Sequence, residues 1–254
     1  MTETSASFGP DRLARRLSAP LLVTAAVTLC TVGAVAVAWE GKPTWPFLGG
    51  VAVAFLAVAV VSRRTLSGAR AAAGPQPITL ATWVTFARAW LCIAFAGFLF
   101  TAPPGGVTLW VPAGLFGLAA GLDAVDGALA RRTDTVSELG GRLDTEIDAL
   151  LVAVGVAVAV VEGTAPLVFL AVGIARYAFV AGSRWRSARG LPVAELPPSE
   201  FRRVTGATIM VTVLIALAPL PGATVSRWVA GVVSVPVLLH FAWDWLVVSG
   251  RVDR

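Results

Sequence analysis

Asp123-Ala-Val-Asp126-Gly127-Ala-Leu-Ala130-Arg131, followed after residues 132–139 by Gly140-Gly-Arg-Leu-Asp144-Thr-Glu-Ile-Asp148, is the stretch on which the reading of this chain turns. Its aspartates lie at the ends of apolar segments rich in Ala, Val, Leu and Gly rather than in a solvated loop. At about 100° per residue, Asp123 and Asp126 lie roughly 60° apart on one helix face, and Asp144 and Asp148 roughly 40° apart on the next. Two pairs of carboxylates can therefore converge from neighbouring helices. Uncompensated, four such anions would repel one another where charge is poorly solvated. Two divalent cations would neutralise them, and an all-oxygen donor set suits Mg²⁺ or Mn²⁺ rather than zinc. Helix caps and boundary charge are the simpler reading. Caps, however, need one Asp per helix start and explain neither the in-helix spacing nor the glycines, and acidic groups within membrane segments mark functional sites by default.

Composition sets the medium. Apolar residues make up 57% of the 254 and charged residues 14%, with a mean hydropathy of +0.80, which excludes an ordinary soluble protein. The chain reads as an all-α, polytopic membrane bundle. Its net charge of +5 comes almost wholly from arginine, Lys42 being the only lysine. Because the arginines sit between apolar spans, they point to orientation and to anionic lipid or phosphate rather than to nucleic acid. Cys30 and Cys92 fall within apolar segments without metal spacing and read as packing residues.

Taking about 17 to 25 apolar residues per span, eight helices are expected at roughly 20–38, 46–61, 78–100, 108–130, 142–161, 165–182, 205–220 and 228–248. The first could mimic a secretory signal ending at Ala36-Val-Ala38, but its length is that of a full span. Arginine then sets the orientation. The N-terminus, the segments with Arg63, Arg64 and Arg70, with Arg131 and Arg132 and from Arg184 to Arg203, and the tail with Arg251 and Arg254 fall on one side; Lys42 and Arg227 fall on the other. The positive-inside rule makes the first side cytoplasmic, with both termini inside and the aspartates near that face.

The motif Asp-x2-Asp-Gly-x2-Ala-Arg-x8-Gly-x3-Asp-x3-Asp, with all its fixed residues in place, resembles the signature of the CDP-alcohol phosphatidyltransferase family. That resemblance implies a six-helix core from about residue 78 to residue 248. It also implies transfer of a phosphatidyl group from a CDP-linked lipid such as CDP-diacylglycerol to an alcohol, releasing CMP, in phospholipid biosynthesis. By the family pattern Asp123, Asp126, Asp144 and Asp148 look like ligands of two metal ions, with Asp148 also the general base. Gly127 and Ala130 look like nucleotide-site residues, Gly140 permits close helix packing, and Arg131 could pair with the diphosphate or hold an aspartate. Glu146, about 200° from Asp144, points elsewhere. The partners implied are the lipid donor, a small alcohol, membrane lipids and a second copy of the chain in a homodimer.

The loop expected at 62–77, with Gly68, Gly74, Pro75 and Pro77, divides residues 1–77, an N-terminal segment with two accessory helices, from a core over 78–254. Thr82-Trp-Val-Thr85-Phe-Ala-Arg88 resembles the family's Pro-Asn-x2-Thr-x2-Arg pattern, with Ala81-Thr82 in place of Pro-Asn. Thr85 could simply bond its own helix. Arg88 lies about 15 Å into its segment, where a charge needs a partner or a wet cavity, and the aspartates or the substrate diphosphate are the nearest anions. Arg176 lies within the sixth span, with Arg184 beyond it and Arg202 before the seventh. These arginines suit a phosphorylated acceptor, glycerol 3-phosphate or inositol phosphate; serine, inositol or a phospholipid are the alternatives. His240 and Asp244, at i and i+4, read as a structural hydrogen-bonded pair. A cation transporter is the rival from another class, but ion paths favour midplane carboxylates on broken helices. The topology has a direct check: reporter fusions after residues 70 and 194 are expected to report the cytoplasmic side, and an outside signal at either overturns it.

Overall fold

A computed structural model of the chain describes residues 22–33, 45–73, 80–103, 105–133, 138–194, 196 and 199–252, with the backbone alone for 66–73, 80–81, 124–133 and 138–139. Every regular element among them is helical. The α-helices are α1 (Leu22–Gly33), α2 (Trp45–Ala73), α3 (Leu80–Ala96), α4 (Val111–Thr133), α5 (Glu138–Val161), α6 (Phe169–Ala188), α7 (Glu200–Leu217) and α8 (Ala223–Val248). Short 3₁₀ turns at Gly97–Leu99 and Gly106–Trp110 follow α3 and precede α4. Helices are what such a sequence must form, because hydrocarbon offers backbone N–H and C=O groups no partner outside the helix itself.

Among the described residues, four segments are both long and apolar enough to cross a membrane: Trp45–Thr65, Thr82–Leu99, Gly106–Asp123 and Ala223–Val248. Charges such as Asp144 and Asp148 on α5, Arg176 and Arg184 on α6, and Arg202 and Arg203 on α7 dilute the hydropathy of the other long helices.

Several helices outrun the apolar runs that predicted them. The expected loop at 62–77 is helical to Ala73, so Arg63 and Arg64 extend α2 instead of leaving it. Likewise α6 continues to Ala188 and carries Arg184, and α7 starts at Glu200 so that Arg202 and Arg203 lie in its first turn. Arginine is a good helix former, and hydropathy measures where a helix meets lipid rather than where it ends. Residues 74–79, with Gly74, Pro75 and Pro77, lie outside the described residues.

The chain divides into two compact units, one holding Gly117–Asp148 with everything before Ala102, the other holding Ala102–Phe116 and Ala149–Arg254. In the first, α3 is the central helix: 72% of its apolar window is buried, against 33% for α2. Cys92 is buried with it, whereas Cys30 is exposed on α1. Helices α2 and α3 touch closely because Gly50 rests on the Ala96 carbonyl and Gly97 lies under the Phe47 ring, which meets Phe98 edge to face at 5.5 Å. In the second unit α6 and α7 both pack on α8. Gly155 leaves room for Phe116 and Val213, and Gly182 for the Trp245 ring. The connection after α6 is tied down by Arg186, which donates to the Pro192 and Ser249 carbonyls at 3.0 and 2.9 Å.

Adjacent glycines on α2 test the packing. A Cβ at Gly50 would collide with the Ala96 backbone, while one at Gly49 meets nothing within 4 Å. Gly50→Ala is expected to destabilise the protein by about 1–3 kcal/mol through overpacking, and Gly49→Ala not at all, as read by thermal melting in detergent. Equal melting temperatures for the two variants would contradict the α2–α3 contact.

Candidate active site

Thr82, Thr85 and Arg88 recur every three residues along α3, and all three are buried. An arginine cannot stay charged and dry without partners, and the neighbouring helices supply them. The Arg88 Nε donates to the Ala119 carbonyl of α4 at 3.1 Å. Its terminal nitrogens donate to the carboxylates of Asp144 and Asp148, one turn apart on α5. Nη1 also lies 3.0 Å from Asp123 Oδ1 on α4. The guanidinium side chain is 0% exposed, whereas Asp123, Asp144 and Asp148 are 42, 31 and 29% exposed. The cluster is thus closed on the arginine side and open on the carboxylate side, where a water-borne cation or a phosphate complex can arrive.

One oxygen from each of Asp123, Asp144 and Asp148 can be chosen so that all three lie within 4.8 Å of one another. That is a spacing around which a single cation fits, and Arg88 already places positive charge there. With no nitrogen or sulfur donor in the group, the donor chemistry is that of a hard divalent ion. Asp126, Gly127, Ala130 and Arg131 lie on α4, with their side chains outside the described residues. Gly140 is buried at the start of α5. Glu146 is half-buried on the same helix.

Within the second unit, Arg176 of α6, Arg202 of α7 and His240 and Asp244 of α8 line one cavity of about 300 Å³, together with Phe179, Thr205 and Phe241. This is the lower end of the size range of small-ligand pockets. Arg202 Nη1 stands 3.7 Å from Asp244 Oδ2, a pairing that no spacing in the sequence announced. Arg184 is exposed on α6 and is not among the lining residues. The i, i+4 pair expected of His240 and Asp244 takes a different form: Nε2 and Oδ2 are 3.5 Å apart, and neither His240 Nε2 nor Asp244 Oδ1 has a hydrogen-bond partner. Helical spacing brings the two side chains together, but Oδ2 is shared with Arg202 and the Phe201 ring packs edge-on against the imidazole at 4.8 Å.

Fold and site together define an all-helical membrane protein with a carboxylate cluster fit for a divalent cation. The family model of CDP-alcohol phosphatidyltransferase matches residues 78–240, and the chain belongs to that family. Among curated proteins none matches it. The family transfers a phosphatidyl group from a CDP-alcohol to an acceptor, and the matched residues include Arg88, all the motif aspartates and His240.

Removing the guanidinium would leave three clustered carboxylates without a cation. Arg88→Ala is therefore expected to lose about 3 kcal/mol of stability in EDTA and to regain more of it than wild type when Mg²⁺ is added, as followed by melting temperature. No metal response in either protein would mean that the cluster binds no ion at this place.

Proposed function

We propose that this chain transfers a phosphatidyl group from CDP-diacylglycerol to a phosphorylated alcohol, glycerol 3-phosphate or inositol phosphate, and releases CMP. The observation that carries the reading is the convergence of Asp123, Asp144 and Asp148 on one cation-sized position in a member of this family. Asp123, Asp126, Asp144 and Asp148 would hold Mg²⁺ or Mn²⁺. When bound, the two ions would neutralise the diphosphate and the charge developing on the leaving phosphate.

The chain's own residues do the rest. Asp148 takes the proton from the acceptor hydroxyl, so that the oxygen attacks the lipid-bearing phosphorus as the bond to the CMP phosphate breaks. Its contact with Arg88 orients the carboxylate. Arg131 binds the diphosphate, with Arg88 and Thr85 supporting that end of the site, and the small Gly127 and Ala130 admit the nucleotide to the helix backbone. Gly140 keeps the two aspartate helices close. Arg176 and Arg202 receive the acceptor phosphate, since a guanidinium matches phosphate through paired charge-assisted hydrogen bonds; Arg184 guides it from the surface. A neutral acceptor such as serine or free inositol gives these charges little to bind. The active site lies at the cytoplasmic face, where a soluble acceptor and a lipid donor are both available, with both termini on that side. Residues 1–77 form an accessory unit beside the core over 78–254, and the assembly is a homodimer.

Steady-state kinetics with CDP-diacylglycerol test this directly. Asp148→Asn is expected to abolish CMP release while the protein still folds, and wild-type activity to vanish in EDTA and return with Mg²⁺ or Mn²⁺. Arg176→Ala is expected to raise the acceptor KM by roughly 10- to 150-fold through loss of one charge-assisted contact, with the donor KM nearly unchanged. Full activity of Asp148→Asn rules out its role as base; a raised donor KM in Arg176→Ala moves that arginine to the diphosphate.

A further inference from the structure

The cavity lined by Arg176 and Arg202 also contains a carboxylate, and a site for phosphate alone has no use for one. Asp244 is 4% exposed. Its Oδ2 faces Arg202 at 3.7 Å, longer than a hydrogen bond, and its Oδ1 has no hydrogen-bond partner. The adjacent His240 Nε2 is equally without one. Neutralising Arg202 would occupy one carboxylate oxygen. A second buried oxygen and a ring nitrogen left unsatisfied in the same wall carry a penalty that a ligand can remove.

We propose that Asp244, with His240 beside it, is a specificity-determining residue that accepts a hydrogen bond from an acceptor hydroxyl other than the one that reacts. This rests on reading the cavity as the acceptor phosphate site. A phosphate dianion brings no donor and is repelled by a carboxylate, so Asp244 favours only ligands whose remaining groups donate. Among the described lining residues two guanidiniums stand with one carboxylate, so the arginines would hold the phosphate while the carboxylate inspects the rest of the molecule. Discrimination of this kind is strong, because an analogue lacking the hydroxyl leaves the buried oxygen unpaired. The Thr205 hydroxyl donates to the Phe201 carbonyl at 2.8 Å, which leaves it only as a neutral acceptor, weaker than the Asp244 carboxylate.

The experiment is equilibrium binding to the full chain in lipid nanodiscs, without donor lipid. The probes are ethyl phosphate, glycerol 3-phosphate, inositol 1-phosphate and phosphoethanolamine. Wild type is expected to bind at least one polyol phosphate roughly 10-fold or more tightly than ethyl phosphate, the effect of one charge-assisted hydrogen bond. Asp244→Ala is expected to erase that gain while still binding ethyl phosphate at least as well as wild type, which also shows the cavity to be folded. Asp244→Asn, which keeps a neutral acceptor of the same shape, is expected to retain part of the gain. Equal binding of ethyl and polyol phosphates by wild type, or a gain that survives Asp244→Ala, overturns the proposal and leaves the phosphate site standing. Loss of ethyl phosphate binding in Asp244→Ala reduces Asp244 to a support for Arg202. An Asp244-dependent preference for phosphoethanolamine replaces the hydroxyl by an ammonium and refutes the assignment. If wild type binds no phosphate at all, the reading of the cavity and the proposal fall together.

Discussion

A guanidinium sealed from water on α3 is the constraint around which the first unit is built. Charge in an apolar medium is strongly unfavourable unless it is paired and hydrogen-bonded, and Arg88 satisfies the demand only by drawing a carbonyl from α4 and carboxylates from α4 and α5. The same demand acts on the aspartates. Three carboxylates facing one another are tolerable because a positive group stands among them. The interaction therefore sets the mutual position of three helices, and the apolar contacts of α3 with α2 complete what it begins.

A cluster arranged in this way suits work on a diphosphate. Its arginine side is closed, so the positive charge cannot be lost to solvent, and its carboxylate side is partly open. A cation arriving from water finds three oxygens already held at a spacing it can bridge, which lowers the reorganisation that binding requires. On the proposed reading, the small residues of the family motif would let a nucleotide reach the helix backbone.

The second unit handles charge by the same rule with less complete pairing. Arg202 meets Asp244 at a distance too long for a hydrogen bond, and Asp244 and His240 keep polar atoms unpaired. On the proposed reading, the unpaired atoms of Asp244 and His240 in the cavity wall await a ligand rather than brace the fold. Elsewhere in this unit arginine braces the chain in the ordinary way, as Arg186 does on two backbone carbonyls.

Much of this was legible in the residues themselves. Composition dictated helices in a membrane, and aspartates at helical spacing beside small residues announced a family and a carboxylate cluster that could hold a cation. The depth of Arg88 required an anionic partner, which the aspartates provide. Local periodicity carries such information because it fixes which side chains share a helix face. Helix ends were less legible, since hydropathy reports contact with lipid and not the persistence of hydrogen bonds, so α2, α6 and α7 extend past their apolar runs with arginines on them. The pairing of Arg202 with Asp244, and the failure of His240 to bond its i+4 neighbour, belonged to the tertiary structure alone. Both depend on which helices pack on α8, and chain separation says nothing of the distance between two faces until that packing has brought them together.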